Sequence, residues 1–579
     1  MKNRLPSNGF DIRASDTNNY GDQNRTYNNS TLNYNTYSSD HTRLSRTGLE
    51  ILADYIAPTA LHSSSSRNIR TGCQQGTRVA IIEELSRWIE DPSKKHRACW
   101  VHGGAGVGKS AVAQTICEIS RRKSQLAASF FFWRNDAQRS TLDHLFPTIA
   151  HQLATLPELQ KDGLALFIDG AVRQSTTKLE EMNLEGQFQT LIHRPCAQID
   201  ARRWKRLPRL VVIDGFDECM SGFGANSPSR AQEALLSTIR DAFFADSPLP
   251  LNFMIFSRSE RAIFDFFQTH LSHHPVDMRS FNSEIDNDIR RYLLKEFADL
   301  SDSQPELLVA GSELPVAGPW PGEQVIETLV GKADGHFIYV ATVMKYIIAD
   351  NPSLEDLRER LDIVLRTDET TSYPDLSDLD QLYHTILRRF GSGDTYKRLL
   401  LPVLQLMVTP HPEYFHTDAT KARSQDLMAV LLKIDLGRSY AFLSQLRSVL
   451  HVPNVGQQDG VSVLHASFSD FLVEARRSHE FHVEPLGKTT YLHRFSCCLL
   501  SILAGTIRHY QRGEHIEIAD RGLEMWSIKP WDLIQRLLTV EPAVEVHTLG
   551  ELVSAVTDFD FYGYSNMILD PYASFPSVI

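Results

Sequence analysis

Between residues 103 and 110 the chain reads Gly103-Gly104-Ala105-Gly106-Val107-Gly108-Lys109-Ser110. A glycine, four residues, then Gly-Lys-Ser is the spacing of a phosphate-binding P-loop. Glycines at these places let successive backbone N–H groups turn inward toward phosphate oxygens, with a helix N-terminus behind them. Lys109 is expected to reach the β- and γ-phosphates of a nucleotide, and the Ser110 hydroxyl to ligate Mg²⁺. The loop constrains the fold because it works only between a strand and a helix. Ala98-Cys99-Trp100-Val101-His102 is a short apolar run suited to a buried strand. On the other side Val112, Ile116 and Ile119 recur at i, i+4 and i+7, the apolar face of a helix.

The alternation continues. Ala127 to Trp133, Arg209 to Asp214 and Leu251 to Phe256 read as further strands, with helical patterns over Leu142 to Leu156 and Ala231 to Phe244. Ile81, Leu85, Trp88 and Ile89 mark a helix before the first strand. Strands alternating with helices predict an α/β P-loop NTPase fold, a parallel sheet flanked by helices. Ligands of such sheets sit beyond the carboxyl ends of the strands, where Gly103, Asp214 and Ser257 all fall.

A P-loop needs an acidic partner for its metal. Leu210-Val211-Val212-Ile213-Asp214-Gly215-Phe216-Asp217-Glu218 places Asp214 at a strand tip, as a Walker B metal residue, with Gly215 leaving room beside the metal. Asp217 or Glu218 is then expected to orient or deprotonate an attacking water. Arg258, in Phe256-Ser257-Arg258-Ser259-Glu260, is placed to sense a γ-phosphate or to form an ion pair. No Asn-Lys-x-Asp guanine motif occurs, which favours ATP/ADP without excluding GTP.

Beyond residue 285 strands give way to helices: Ile289 to Phe297, Val325 to Val330 and Phe337 to Ile348. Phe442, Leu446, Val449 and Leu450 form a helical stripe, Val461 to Leu464 a short strand, and Phe468, Phe471 and Leu472 open another helix. Over 579 residues the formal charge is −12, which argues against nucleic acid as a partner. Arg202-Arg203-Trp204-Lys205-Arg206 is read as a solvated loop. The seven cysteines form no CxxC, no signal-like apolar segment opens the chain, and the run from Cys497 to Ile507 is too short to span a bilayer. These features predict no membrane span and a cytoplasmic location. Residues 1 to about 45 are rich in asparagine and tyrosine and read as a low-complexity tail, with Ser63 to Ser66 a second linker.

Together GGAGVGKS, DGFDE and SRSE resemble the NACHT family of STAND-class signalling NTPases, closest to fungal members and to nephrocystin-like NTPase domains. Gly335-His336-Phe337-Ile338-Tyr339-Val340-Ala341 and Leu464-His465-Ala466-Ser467-Phe468-Ser469-Asp470-Phe471-Leu472 extend the resemblance to residues 70–485. It implies a NACHT domain over 71–285, a helical domain over 286–390 and a winged-helix domain over 391–485, following a region over 1–70 whose composition reads as disordered and low in complexity. Residues 486–579 are left as a helical segment of unknown role. It also implies that His465 touches the β-phosphate of ADP and locks a resting state. Many relatives place a proline beside the adenine where this chain has His336-Phe337-Ile338, and a threonine where it has Ser257. Relatives also usually end in repeat arrays; no internal repeat is evident here, so such a sensor is either lacking or lost by truncation.

The function implied is a nucleotide-operated switch with slow hydrolysis. It would self-assemble in the ATP state and act with an unidentified sensor or effector, in fungi in non-self recognition or cell death. An ordinary ATPase or kinase, and a scaffold with a structural nucleotide, are the competing readings.

Overall fold

A computed structural model describes residues 46–64, 72–136, 138–224, 227–303, 320–349, 352–366, 373, 375–391, 393, 396–409, 424–454 and 460–487. Five runs form one sheet: β1 Ala98–His102, β2 Leu126–Phe131, β3 Leu210–Asp214, β4 Asn252–Ser257 and β5 His273–Asp277. Their order is β2-β3-β4-β1-β5, and every neighbouring pair is parallel. Side chains alternate between two cores. Trp100, Ile213 and Ile255 enter one; Val101, Val212 and Phe256 enter the other. With both faces covered, β1 to β4 are buried along their whole length and read as mainly apolar runs, polar chiefly at their ends.

β5 escapes sequence reading because His273-His274-Pro275-Val276-Asp277 is polar. It is an edge strand that pairs only with β1, and an edge tolerates proline.

Ahead of and around the sheet lie α1 Gly48–Leu52, α2 Val79–Glu90, α3 Lys109–Arg122, α4 Leu145–Thr155, α5 Leu164–Gln174, α6 Pro228–Phe244 and α7 Arg261–Thr269. Ile81 and Leu85 of α2, with Val112 and Ile116 of α3, pack on the Val101 face. Ile149 and Leu153 of α4, with Leu235 and Ile239 of α6, pack on the Trp100 face.

The low-complexity region was expected to reach residue 70, and its described part corrects this. Thr47 caps α1 in a reciprocal capping box with Glu50. The Leu49 N–H donates to Asp169 of α5 at 3.2 Å, and the Ala57 N–H to Thr148 of α4 at 2.9 Å. Leu52, Ala57 and Ala60 are fully buried in the sheet domain's core. A five-residue helix is too short to show a periodicity, so its docking was not legible. Residues 1–45 and 488–579, with Cys497 and Cys498, lie outside the described residues.

The rest is helical: α8 Asn282–Ser303, α9 Glu323–Ala333, α10 Phe337–Ile348, α11 Leu354–Leu365, α12 Asp378–Arg388, α13 Leu401–Val408, α14 Gln425–Leu432, α15 Leu436–Ser444 and α16 Ala466–Val473. A small antiparallel pair, β6 Leu450–His451 and β7 Ser462–Val463, precedes α16. One hydrophobic core runs from Ile285 to Val483 and crosses residue 390 without a break.

The helical stripe expected over Phe442 to Leu450 ends early. α15 stops at Ser444, and Val449 N–H to Leu446 C=O closes a turn that delivers Leu450 into β6. The three-residue turn keeps the apolar spacing of a helix, which is why the pattern ran on. Among the described residues no helix is long and apolar enough to cross a membrane.

Candidate nucleotide site

The strand register brings the functional residues to one edge. His102 at the end of β1 lies beside Ser257 of β4 and Asp277 of β5, and β4 separates β1 from β3. The turn after β1, the Asp214 tip of β3 and the Arg258 end of β4 therefore share the carboxyl side of the sheet. Ser257 ties two of these ends together. Its hydroxyl accepts from Trp100 Nε1 at 2.8 Å and donates to the Arg258 carbonyl at 2.9 Å. The hydroxyl shared by serine and threonine is the part of that position in use.

These elements open onto a cavity of about 650 Å³. Ala105, Gly106, Gly108, Lys109 and Ser110 line it from the P-loop, and Asp214, Gly215, Asp217, Glu218 and Arg258 from the strand ends. His465, at the head of α16, lines it from the far end of the chain. Of the residues expected at the site, Gly103, Gly104 and Val107 are absent from the lining. Gly103 sits under the loop, where an added Cβ would lie 3.2 Å from Met278 and Val107 side-chain atoms. Val107 is buried in the α2/α3 core.

Lys109 is held by its own loop, its Nζ donating to the carbonyls of Gly103 at 3.0 Å and Gly104 at 2.6 Å. Burial pushes its ammonium below the usual lysine range, while the carboxylates of Asp217, Asp214 and Glu218 oppose that shift. Gly106 has φ +76, and a Cβ there would come within 2.2 Å of Ile338. α10 starts against the loop at this point. The Ile338 N–H donates to the Gly106 carbonyl at 3.3 Å, and His336 Nδ1 lies 2.9 Å from the Ala105 carbonyl oxygen. The helical region therefore grips the P-loop backbone itself.

Arg78 completes the grip and was not singled out in the sequence as a site residue. It is buried, with φ +57, and its N–H donates to Asp288 of α8 at 2.7 Å. Its guanidinium donates to the Val107 carbonyl and lies 4.8 Å from the centre of the Phe337 ring.

Asp214 is wholly buried, and Asp217 and Glu218 nearly so. Gly215 does more than leave room: its φ is +67, and a Cβ would meet the Phe132 carbonyl oxygen at 3.1 Å. Ser110 and Asp214 supply a hydroxyl and a carboxylate to the cavity. These are hard oxygen donors of the kind that suit Mg²⁺.

The two acidic candidates differ in their partners. Both oxygens of Asp217 are engaged by Arg258, Oδ1 by its N–H at 2.9 Å and Oδ2 by Nε at 3.1 Å. Glu218 Oε2 accepts the Arg134 N–H at 3.1 Å.

Arg258 reaches further. Its Nη1 lies 2.6 Å from Asp470 Oδ2, while Asp470 Oδ1 is 2.8 Å from Arg134 Nη1. Burial lowers the Arg258 pKa, but Asp470 and Asp217 outweigh it and leave the group above its usual value. Asn135 Nδ2 donates to Ser469 Oγ at 3.2 Å alongside. Asp470 and Ser469 belong to α16, so this helix is clamped across the strand ends. Asp470 stood in the motif around His465, yet no local pattern linked it to Arg258, 212 positions earlier in numbering.

The same helix orients His465. The ring's Nδ1 accepts the Ser467 N–H at 3.1 Å and caps α16. A ring nitrogen that accepts an amide proton carries none, so the neutral imidazole holds its proton on Nε2. Ser467 Oγ lies 2.8 Å from Tyr383 Oη on α12, which also lines the cavity.

Residues 76–258 match the family model described as nephrocystin 3, N-terminal. That stretch holds Gly103–Ser110, Asp214–Glu218 and Arg258, where the motifs carried the resemblance; His336 and His465 lie beyond it. No curated protein matches the chain. Among solved structures the chain is similar to a Walker-type ATPase of Pyrococcus abyssi, at 14% identity and a TM-score of 0.33, over 70% of this chain and 99% of that one.

Proposed function

We propose that the chain is a nucleotide-operated switch of the NACHT/STAND class, binding ADP when closed and ATP when open, and hydrolysing ATP slowly. The observation that carries this reading is the docking of α16: one helix brings His465 to the cavity and Asp470 to Arg258. In an ordinary ATPase a γ-phosphate-sensing arginine faces the nucleotide. Here its Nε and Nη1 are occupied by carboxylates on opposite sides of an interface.

The P-loop amides and Lys109 would hold the phosphates, and Nε2–H of His465 would donate to the terminal phosphate of a diphosphate. Mg²⁺, held by Ser110 and Asp214, would draw charge from the phosphate oxygens. Glu218 is the better-placed base, because both oxygens of Asp217 already serve Arg258. Arg258 can act on a γ-phosphate only after Asp470 lets go, so turnover is coupled to opening. The lobe that carries α16, with paired helices and the β6–β7 pair, is read as the winged-helix domain. Opening would bare the face that α16 covers and permit self-assembly, the step at which an effector or sensor would act.

The test is binding followed by sizing. Lys109→Ala should abolish ATP and ADP binding in calorimetry. His465→Ala should weaken ADP selectively and shift the protein toward larger species in size-exclusion chromatography. ADP affinity unchanged in His465→Ala would rule out the latch, and full ATP affinity in Lys109→Ala would rule out the site.

A further inference from the structure

The end of the sheet opposite the nucleotide cavity collects positive charge. The strands are parallel, so the residues that precede them share one side. Arg97 precedes β1 and Arg209 precedes β3. The Arg97 carbonyl accepts the Phe253 N–H and the Arg209 carbonyl the Asn252 N–H, both at 2.8 Å, so the two arginines flank the start of β4. α3 runs back to this end, where the Gln125 carbonyl accepts the Arg209 N–H at 3.1 Å. Arg121 lies in the last turn of α3, Lys94 and Lys95 lie between α2 and β1, and Arg206 stands three residues before Arg209.

The acids nearby leave these cations unbalanced. Glu90 is paired with Lys123 at 2.6 Å. Asp91 turns onto its own loop, Oδ1 accepting the Ser93 N–H at 2.8 Å and the Ser93 hydroxyl at 2.7 Å. Among the described residues Lys95, Arg121, Arg206 and Arg209 form no ion pair. Burial and the Arg209 guanidinium pull Lys94 down to about 8, with Asp91 opposing, and the same two causes lower Arg97. Arg121 suits the negative end of a helix dipole. Arg97 and Arg209 precede strands and have no such reason to be there. Cations gathered this way repel one another and weaken the fold, a cost that a bound polyanion would offset.

An apolar side chain stands beside them. The Arg97 guanidinium donates to the Leu249 carbonyl, and the Leu249 N–H donates to the Ala242 carbonyl at 3.0 Å, which fixes the turn after α6. Phe244 ends α6 on this turn and is 76% exposed, while its neighbour Phe243 packs on the sheet core. Asp246 is the exposed acid of the same turn.

We propose that this end of the sheet docks on an anionic membrane surface, with the cations against lipid phosphates and Phe244 in the layer just beneath the headgroups. A basic surface with an exposed aromatic at its edge matches a bilayer boundary, where negative charge lies directly above an apolar layer. A membrane held here lies across the sheet from the cavity and from α16, and leaves both uncovered.

Co-sedimentation of the full chain tests this, with vesicles of phosphatidylcholine alone and of phosphatidylcholine with a third phosphatidylserine. The wild type should bind the second kind and not the first, and raised salt should release it. Lys95→Gln and Arg206→Gln, both at exposed positions, should each weaken binding about fivefold. Phe244→Ser should weaken it about tenfold. All three variants should melt as the wild type does, which separates lost docking from lost folding. Lys109→Ala should bind vesicles normally, so a failure of the nucleotide reading would leave this one standing. No binding to phosphatidylserine vesicles, equal binding to both compositions, or full binding by the Lys95→Gln, Arg206→Gln double variant overturns the proposal. Binding of a single-stranded oligonucleotide without binding of vesicles overturns it too, and would assign the cations to nucleic-acid phosphates.

Discussion

At the residue scale, Gly106 shows how little freedom the phosphate loop has. A left-handed backbone costs a side chain about 1–2 kcal/mol, and here the added carbon would also collide with Ile338 at 2.2 Å. Gly106→Ala should therefore lower stability by about 2 kcal/mol or more and loosen α10 from the loop. Thermal denaturation checks the first effect, and hydrogen exchange of the Ile338 amide checks the second. His384 gives a pH dependence. It is almost wholly buried on α12, with Nε2 2.9 Å from the Arg477 carbonyl oxygen. Burial holds its pKa below the usual histidine value, although Arg477 and Glu480 oppose the shift. The unfolded chain therefore takes up a proton first as pH falls below about 6.5, and stability drops with it. Above that pH both states are neutral there and the contribution vanishes. His384→Gln should flatten the fall in melting temperature between pH 7 and 5; an unaltered slope would assign the acid sensitivity elsewhere.

At the scale of elements, α16 is the part whose removal should matter most. Asp470 faces two arginines at 2.6 and 2.8 Å in a setting that is less than a third exposed. Asp470→Asn weakens both contacts and should favour opening by about 2 kcal/mol, roughly 30-fold in population. The readout is faster nucleotide exchange. A double-mutant cycle with Arg134→Met should show coupling, and additive effects would argue that the pair does no work in holding the helix.

Elements differ in how legible they were. β1, α3 and β3 were plain because each carries its reason locally: an apolar run, a glycine pattern, an acid at a strand tip. β5 was silent because an edge strand needs no apolar run. The short α1 was silent because five residues carry no period. Arg78 and the Arg258–Asp470 pair were silent for another cause. Their meaning lies in partners 29 to more than 200 residues away, and no local spacing encodes such a meeting.

At the scale of the molecule, the described helical region grips the sheet domain at two places. α10 sits on the P-loop backbone, and α16 sits on the strand ends. If the first is a hinge and the second a latch, the proposed switch moves α16 while α10 stays. Small-angle scattering should then show a compact particle with ADP and an expanded one with a non-hydrolysable ATP analogue. Asp470→Asn should resemble the second even with ADP. Identical profiles in all three conditions would favour a scaffold with a structural nucleotide. The core from Ile285 to Val483 holds residues of both α10 and α16, so for α16 to move while α10 stays the core must part between them.

The contact between Arg134 and Asp470 joins positions 336 residues apart. A ribosome delivers the chain from its N-terminus, and domains fold as they emerge. The P-loop, Asp214, Arg258 and the whole sheet exist before His465 or Asp470 has been made. For that interval the cavity stands open on its latch side and Arg258 has no Asp470 to meet. In the proposed switch, nucleotide would then be loaded during synthesis, and the arrival of α16 would seal in whatever is bound. The resting state would then be set by the order of manufacture, with later exchange the slower and regulated event.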